Sequence, residues 1–125
     1  MDEYFFHFSR RNDYFCSVVT YYISNRMKYG FIKVASAIPT VKVADCKYNA
    51  QQIDTQIAIA DGKGVQVIVF PELCITGYSC ADLFGQTLLL EEAEIALMQI
   101  MNNTRQMDII SIVGMPVVVN STLMN

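Results

Sequence analysis

Tryptophan is absent from the 125 residues, and histidine occurs once, at His7. A Ser–His or Cys–His couple would have to recruit that single ring from the N-terminal stretch. None of the four cysteines, Cys16, Cys46, Cys74 and Cys80, forms a C-x-x-C pair, so a zinc site is not expected. Charged residues are only 17% of the chain, the net charge is −3 and no basic cluster stands out, which argues against nucleic acid as a partner. Long apolar runs are missing as well. The longest lies near Ile109–Val119, far short of the ~20 residues a spanning helix requires.

A secretory leader is equally poorly supported. Tyr14–Ile23 follows Arg10 and Arg11 as a signal core would, but Asp2, Glu3 and Asp13 spoil the basic leader. Arg26 and Lys28 follow where small residues should precede cleavage. The A-x-A triplet Ala35-Ser36-Ala37 falls inside an apparent strand. Export and membrane insertion are not expected. A cytoplasmic location is, with the cysteines as reduced thiols.

What is present is apolar material: 53% of residues, ample for the core of one modest domain. Mean hydropathy is +0.29, high for a free-standing domain of this size, as though a covering layer were lacking. Residues 1–26 are crowded with aromatics and show neither helical nor alternating periodicity, so they are expected to lie outside the domain, which takes in 27–125. Phe31–Ile38 (FIKVASAI) reads as a strand closed by Pro39. Asp45 is a helix N-cap candidate, its carboxylate able to accept from a free first-turn N–H. Behind it Cys46, Ala50, Ile53, Ile57 and Ala60 recur in steps of three and four along one face. Asp61-Gly62-Lys63-Gly64 ends that helix, since glycine takes a left-handed cap readily.

Val65–Phe70 is an almost continuously apolar strand, as expected of a central parallel strand covered on both faces. Leu90, Ala93, Leu97 and Ile100 mark a second helical face. Glu91, Glu92 and Glu94 stand near its start, where they would favour the helix dipole. Ile109–Val113 is a third strand, which Val117–Val119 would extend past Gly114 and Pro116 to give 109–119. The order β-α-β-α-β means an α/β fold, with both helices on one face of a parallel sheet.

The stretch VIVFPELCITGY, Val67–Tyr78, carries the chemistry. It sets Glu72 directly after the apolar strand, behind Pro71 and ahead of a glycine turn at Gly77. Strand tips are where open α/β sheets collect ligands. Phe70, Pro71, Leu73 and Ile75 are expected to desolvate the carboxylate partly, favouring general-base work. Against this stands the plain reading that Glu72 sits in a solvated loop. In an extended chain Cys74 would point the same way as Glu72, but a thiolate there would bring two negative charges together. Cys74 and Cys80 are therefore read as packing rather than as nucleophiles. Gly62-Lys63-Gly64 lacks the spacing of a phosphate loop.

From Met27 onward the chain resembles the opening of a nitrilase-superfamily (carbon–nitrogen hydrolase) domain, carried by FPELCITGY. Asp82-Leu83-Phe84 and FIKVASAIPTV narrow the resemblance to the amide-hydrolysing domain of glutamine-dependent NAD synthetases. The resemblance implies part of an αββα sandwich, one β-α-β-α-β layer of it. It also implies a Glu–Lys–Cys triad acting on the side-chain amide of glutamine, of which Glu72 alone matches a position here, with Tyr78 expected to line the pocket. The family's lysine and its nucleophile, in a context like C-E-D-L-W, belong to later segments. This chain has no lysine after Lys63 and no cysteine after Cys80. No cofactor or metal is implied for this segment, ATP being used by a synthetase domain that it does not include. The parent is expected to be a homo-oligomer. A truncated, inactive glutaminase segment is the leading expectation. A nitrilase-like amidase fragment, a non-catalytic interaction module and a small hydrolase using Cys74 or Cys80 are the alternatives.

Overall fold

The computed structural model describes residues 32–120 and 122–124. The expectation for residues 1–26 lies outside these described residues. The chain forms β1 (Val34–Ser36), α1 (Cys46–Gly62), β2 (Val67–Val69), a kinked pair of 3-10 turns (Tyr78–Gly85), α2 (Thr87–Thr104) and β3 (Ile110–Ile112). β4 (Val117–Val119) and β5 (Thr122–Met124) follow. Among the described residues no helix is long and apolar enough to cross a membrane.

The first three strands form a parallel sheet in the order β1-β2-β3. Its register aligns Val34 with Val67 and Ile110, and Ser36 with Val69 and Ile112. Ladder bonds run past the regular cores: Gln66 N donates to Lys33 O, Ala37 N to Val69 O, and Phe70 N to Ile112 O. Pairing therefore reaches most of the apolar runs read from the sequence.

Successive strand residues face opposite ways, and the two faces differ in fate. Ala35, Ala37, Ile68 and Phe70 join a buried cluster with Ala50, Ile53 and Ile57 of α1 and Ala93, Ala96 and Ile100 of α2. The other face holds Val69, Ile110 and Ile112, which are 40%, 64% and 52% exposed. Both helices thus cover one side of the sheet. The expectation that β2 is covered on both faces does not hold for this chain, because α1 and α2 pack against each other on the same side. A polar link joins them across that seam, Asn103 Nδ2 donating to Asp54 Oδ2 at 2.6 Å.

Asp45 caps α1, its carboxylate accepting from Tyr48 N at 3.1 Å. Every residue of the expected α1 face is buried, and Asn49 is buried among them. Past α1, Gly64 takes φ +71° and donates its N–H to Asp61 O. In α2 the buried face is Leu89, Ala93, Ala96 and Ile100. It is turned slightly from the expected one, leaving Leu90 and Leu97 half-buried. No acidic residue occupies the first turn of α2. Since the dipole effect fades beyond that turn, the expected contribution of Glu91, Glu92 and Glu94 is not realised.

The single strand expected over 109–119 is a correction. β3 stops at Ile112, and β4 instead pairs antiparallel with β5, Val117 opposite Met124 and Val119 opposite Thr122. Gly114 is drawn against the backbone of Pro71–Leu73, and Pro116 has no N–H for a ladder. Asn120, in the left-handed region at φ +50°, supplies the turn that a tight hairpin needs.

Asn49 makes the most consequential polar contacts in the core. Its Nδ2 donates to Lys42 O and Ile75 O, both at 2.8 Å, and its Oδ1 accepts from Lys42 N at 2.7 Å. Asn49→Ala would strand these backbone groups, and a buried unsatisfied group costs about 1–3 kcal/mol. Urea unfolding is expected to show a loss of at least about 2 kcal/mol, exceeding the ~1 kcal/mol expected for the exposed cap variant Asp45→Ala.

Candidate active site

The segment after β2 is a tight loop rather than an extended chain. Leu73 stands at φ +54°, unusual for a residue with a branched side chain. Gly77 N donates to Leu73 O at 2.7 Å, closing the turn. Gly77 itself has φ +84°, and a Cβ there would come 3.3 Å from Val43 Cα. Both constraints demand glycine at that position. Ala44 N donates to Thr76 O at 2.8 Å, so the loop is stitched to the segment preceding α1.

This geometry separates residues the sequence reading placed together. Because Leu73 reverses the chain, Glu72 is exposed while Cys74 is 2% exposed, its Sγ 3.6 Å from Gly114 O. The two side chains do not share a direction. Phe70 and Ile75 belong to the buried core cluster and leave Glu72 exposed, so the expected apolar cover over the carboxylate is absent from these neighbours. Burial pushes the Cys74 thiol up, and the bond to Gly114 O opposes it only in part. The cause is desolvation rather than the charge of Glu72. Cys80 is also buried, its Sγ 3.1 Å from Thr76 O.

Glu72 and Tyr78 line one open cleft of about 410 Å³, together with Leu73, Ala81, Phe84 and Pro116. Leu123 and Met124 of β5 complete it. Tyr78 is 75% exposed, an aromatic wall with little cover of its own. Phe84 was read only as part of a motif, and the β5 residues were not read as a wall at all. Phe84 stands in the Asp82-Leu83-Phe84 turn, and the Asn120 turn that folds β5 back was the available signal for Leu123 and Met124. One carboxylate, one phenol and an apolar wall can orient a small polar ligand and move a proton. Among the described residues no group of three His, Cys, Asp or Glu side chains is placed to hold a metal.

A parallel β-α-β-α-β layer with both helices on one face matches part of a nitrilase-type fold. The chain belongs to the carbon–nitrogen hydrolase family, whose model matches residues 33–125. It is 32% identical over 92 residues to a glutamine-dependent NAD(+) synthetase of Mycobacterium leprae, a match covering 74% of this chain and 14% of that protein. The Mus musculus enzyme of the same name is 34% identical over 86 residues, with 69% and 12% covered. Among solved structures, a glutamine-dependent NAD(+) synthetase from Cytophaga hutchinsonii superposes with a TM-score of 0.68 at 29% identity, covering 74% of this chain and 16% of that one. The chain thus spans less than a fifth of each of these relatives.

Cys46 provides a pH test of the core beside this loop. Burial raises its thiol to about 11 from 9.0, with Cys80 and Glu92 adding to the effect. The folded state therefore holds this proton where the unfolded chain has released it. The associated stability is complete below pH 9 and declines as pH rises towards 11. Two units correspond to about 2–3 kcal/mol. Unfolding free energies measured from pH 8 to 11 are expected to fall more steeply for the native chain than for Cys46→Ala. Parallel profiles would contradict this assignment.

Proposed function

We propose that this chain is the opening segment of a glutamine amidohydrolase domain of the kind carried by glutamine-dependent NAD(+) synthetases, in which Glu72 relays protons. The observation that carries this reading is the placement of Glu72 on the tight loop beyond β2, in one cleft with Tyr78 and Phe84. In the proposed reaction a thiolate attacks the amide carbon of glutamine, Glu72 passes a proton to the departing ammonia, and water then cleaves the thioester. Tyr78 lines the amide pocket. The attacking cysteine and a charge-stabilising lysine are to be supplied from outside this segment, since no lysine follows Lys63 and no cysteine follows Cys80. We assign no cofactor, metal or nucleic acid to the segment, and place it in the cytoplasm within a homo-oligomeric parent.

The exposed sheet face supports the same reading. Val69, Ile110 and Ile112 form an apolar surface, suited to the second sheet of an αββα sandwich. The cysteines of this chain are poor substitutes for the absent nucleophile. Burial holds the Cys74 and Cys46 thiols protonated, and the thiolate is the attacking form.

Groups that act as a unit fail together when one is missing, so the 125-residue chain is expected to release no ammonia from glutamine above buffer. Turnover abolished by Cys74→Ala would instead establish an independent hydrolase. The positive arm grafts residues 33–124 in place of the matching segment of the Cytophaga hutchinsonii enzyme. Glutamine hydrolysis is expected in this chimera and should drop at least about 100-fold in Glu72→Gln, within the range for a lost general base. An active chimera indifferent to Glu72→Gln would reject the role given to Glu72.

A further inference from the structure

We infer that Gly114, which lies outside the cleft, is a positioning residue for Glu72, acting through the left-handed turn at Leu73. The inference rests on the reading of Glu72 as the proton-relaying carboxylate. A Cβ added at Gly114 would come 2.8 Å from Leu73 N, 2.8 Å from Pro71 O and 2.9 Å from Glu72 Cα. All three are backbone atoms, so no side-chain rotation relieves the contact. Gly62, Gly64 and Gly85 meet nothing within 4 Å, and Gly114 is not among the glycines of positive φ. Its requirement is therefore close approach rather than conformation.

The loop arches over this one residue and is tied down on both sides of the crest. Phe70 N donates to Ile112 O at 2.9 Å before the loop, and Ile75 N to Gly114 O at 3.4 Å after it. Between these anchors Leu73 is held at φ +54°, a conformation that persists only where surroundings over-determine it. The Gly114 backbone is that surrounding. It supports the underside of Pro71–Leu73, so Glu72 leaves the crest on the cleft side while Cys74 turns inward. Any side chain at 114 would lift the crest and move the carboxylate relative to Tyr78 and Phe84.

Amide hydrogen exchange on the 125-residue chain tests the geometry. In Gly114→Ala, amides of 72–77 are expected to exchange about tenfold faster, with α1 and α2 unchanged and with Gly62→Ala and Gly85→Ala as silent controls. Unaltered protection of 72–77 would overturn the inference. If Gly114→Ala also exposes the helices, the double variant Gly114→Ala/Leu73→Gly decides, because glycine at 73 lets the crest move away from the added methyl. Protection of α1 and α2 should then return while 72–77 stay loosened, and protection of 72–77 equal to that of the native chain would overturn the inference. In the chimera, Gly114→Ala is expected to lower kcat about 100-fold, the order of effect of an ångström-scale misplacement, with KM for glutamine changed less than about twofold. A purely structural role would move the melting temperature without that split. An active chimera with kcat unchanged in Gly114→Ala would overturn the positioning role. A chimera inactive with the native segment would overturn the glutaminase reading, leaving the exchange data to judge Gly114.

Discussion

The buried amide of Asn49 ties together the three parts of the chain that make the site possible. It sits in the first turn of α1 and holds the segment before that helix through both the N–H and the C=O of Lys42, and the site loop through Ile75 O. A buried amide is tolerated only when its donors and acceptor are met, and these partners are main-chain groups with no freedom to move independently. The Ala44–Thr76 backbone bond lies beside it. Without this cluster the two loops at the strand ends would have no reason to lie in register.

The loop after β2 is therefore held from two directions. Asn49 and Ala44 fix its far end, and Gly114 supports its crest at backbone contact. What lies between includes a leucine in the left-handed region, a local cost of order 1–3 kcal/mol. A loop chosen for stability alone would place glycine or asparagine there, as it does at Gly77 and Asn120. Strain retained beside a carboxylate in a cleft is the pattern expected of a functional turn.

Much of this was legible in the sequence, and the parts that were not share a cause. The steps Cys46-Ala50-Ile53-Ile57-Ala60 gave the α1 face because helical burial leaves a period of 3.6. The three parallel strands announced themselves as short apolar runs. Asn49 was passed over because polarity reads as solvent exposure until its backbone partners are known. β4 was merged into β3, and β5 was not read as a strand, because Gly114 and Pro116 were taken as tolerated interruptions, when the former is a tertiary contact with residues some forty positions earlier. Glu72 and Tyr78 were both placed in the cleft, whereas the opposed directions of Glu72 and Cys74 depended on a single dihedral at Leu73. Local pattern predicts elements well. It does not reveal a close approach between distant backbones.

The division of the site follows from these contacts. The loop crest is held by contacts of Asn49, Gly77 and Gly114, all within this segment. The cleft is different: it is open, Tyr78 is 75% exposed, and the far side of the sheet is bare at Ile110 and Ile112. A proton relay must keep its distance from a nucleophile to within a fraction of an ångström, which favours building it on a loop locked by its own layer. On the proposed glutaminase reading, the nucleophile and the lysine can then arrive on other strands without having to shape the glutamate. On that same reading, a glutamate on a loop tied down by its own layer, beside an incomplete wall, lets one member of a catalytic unit be positioned independently of the others.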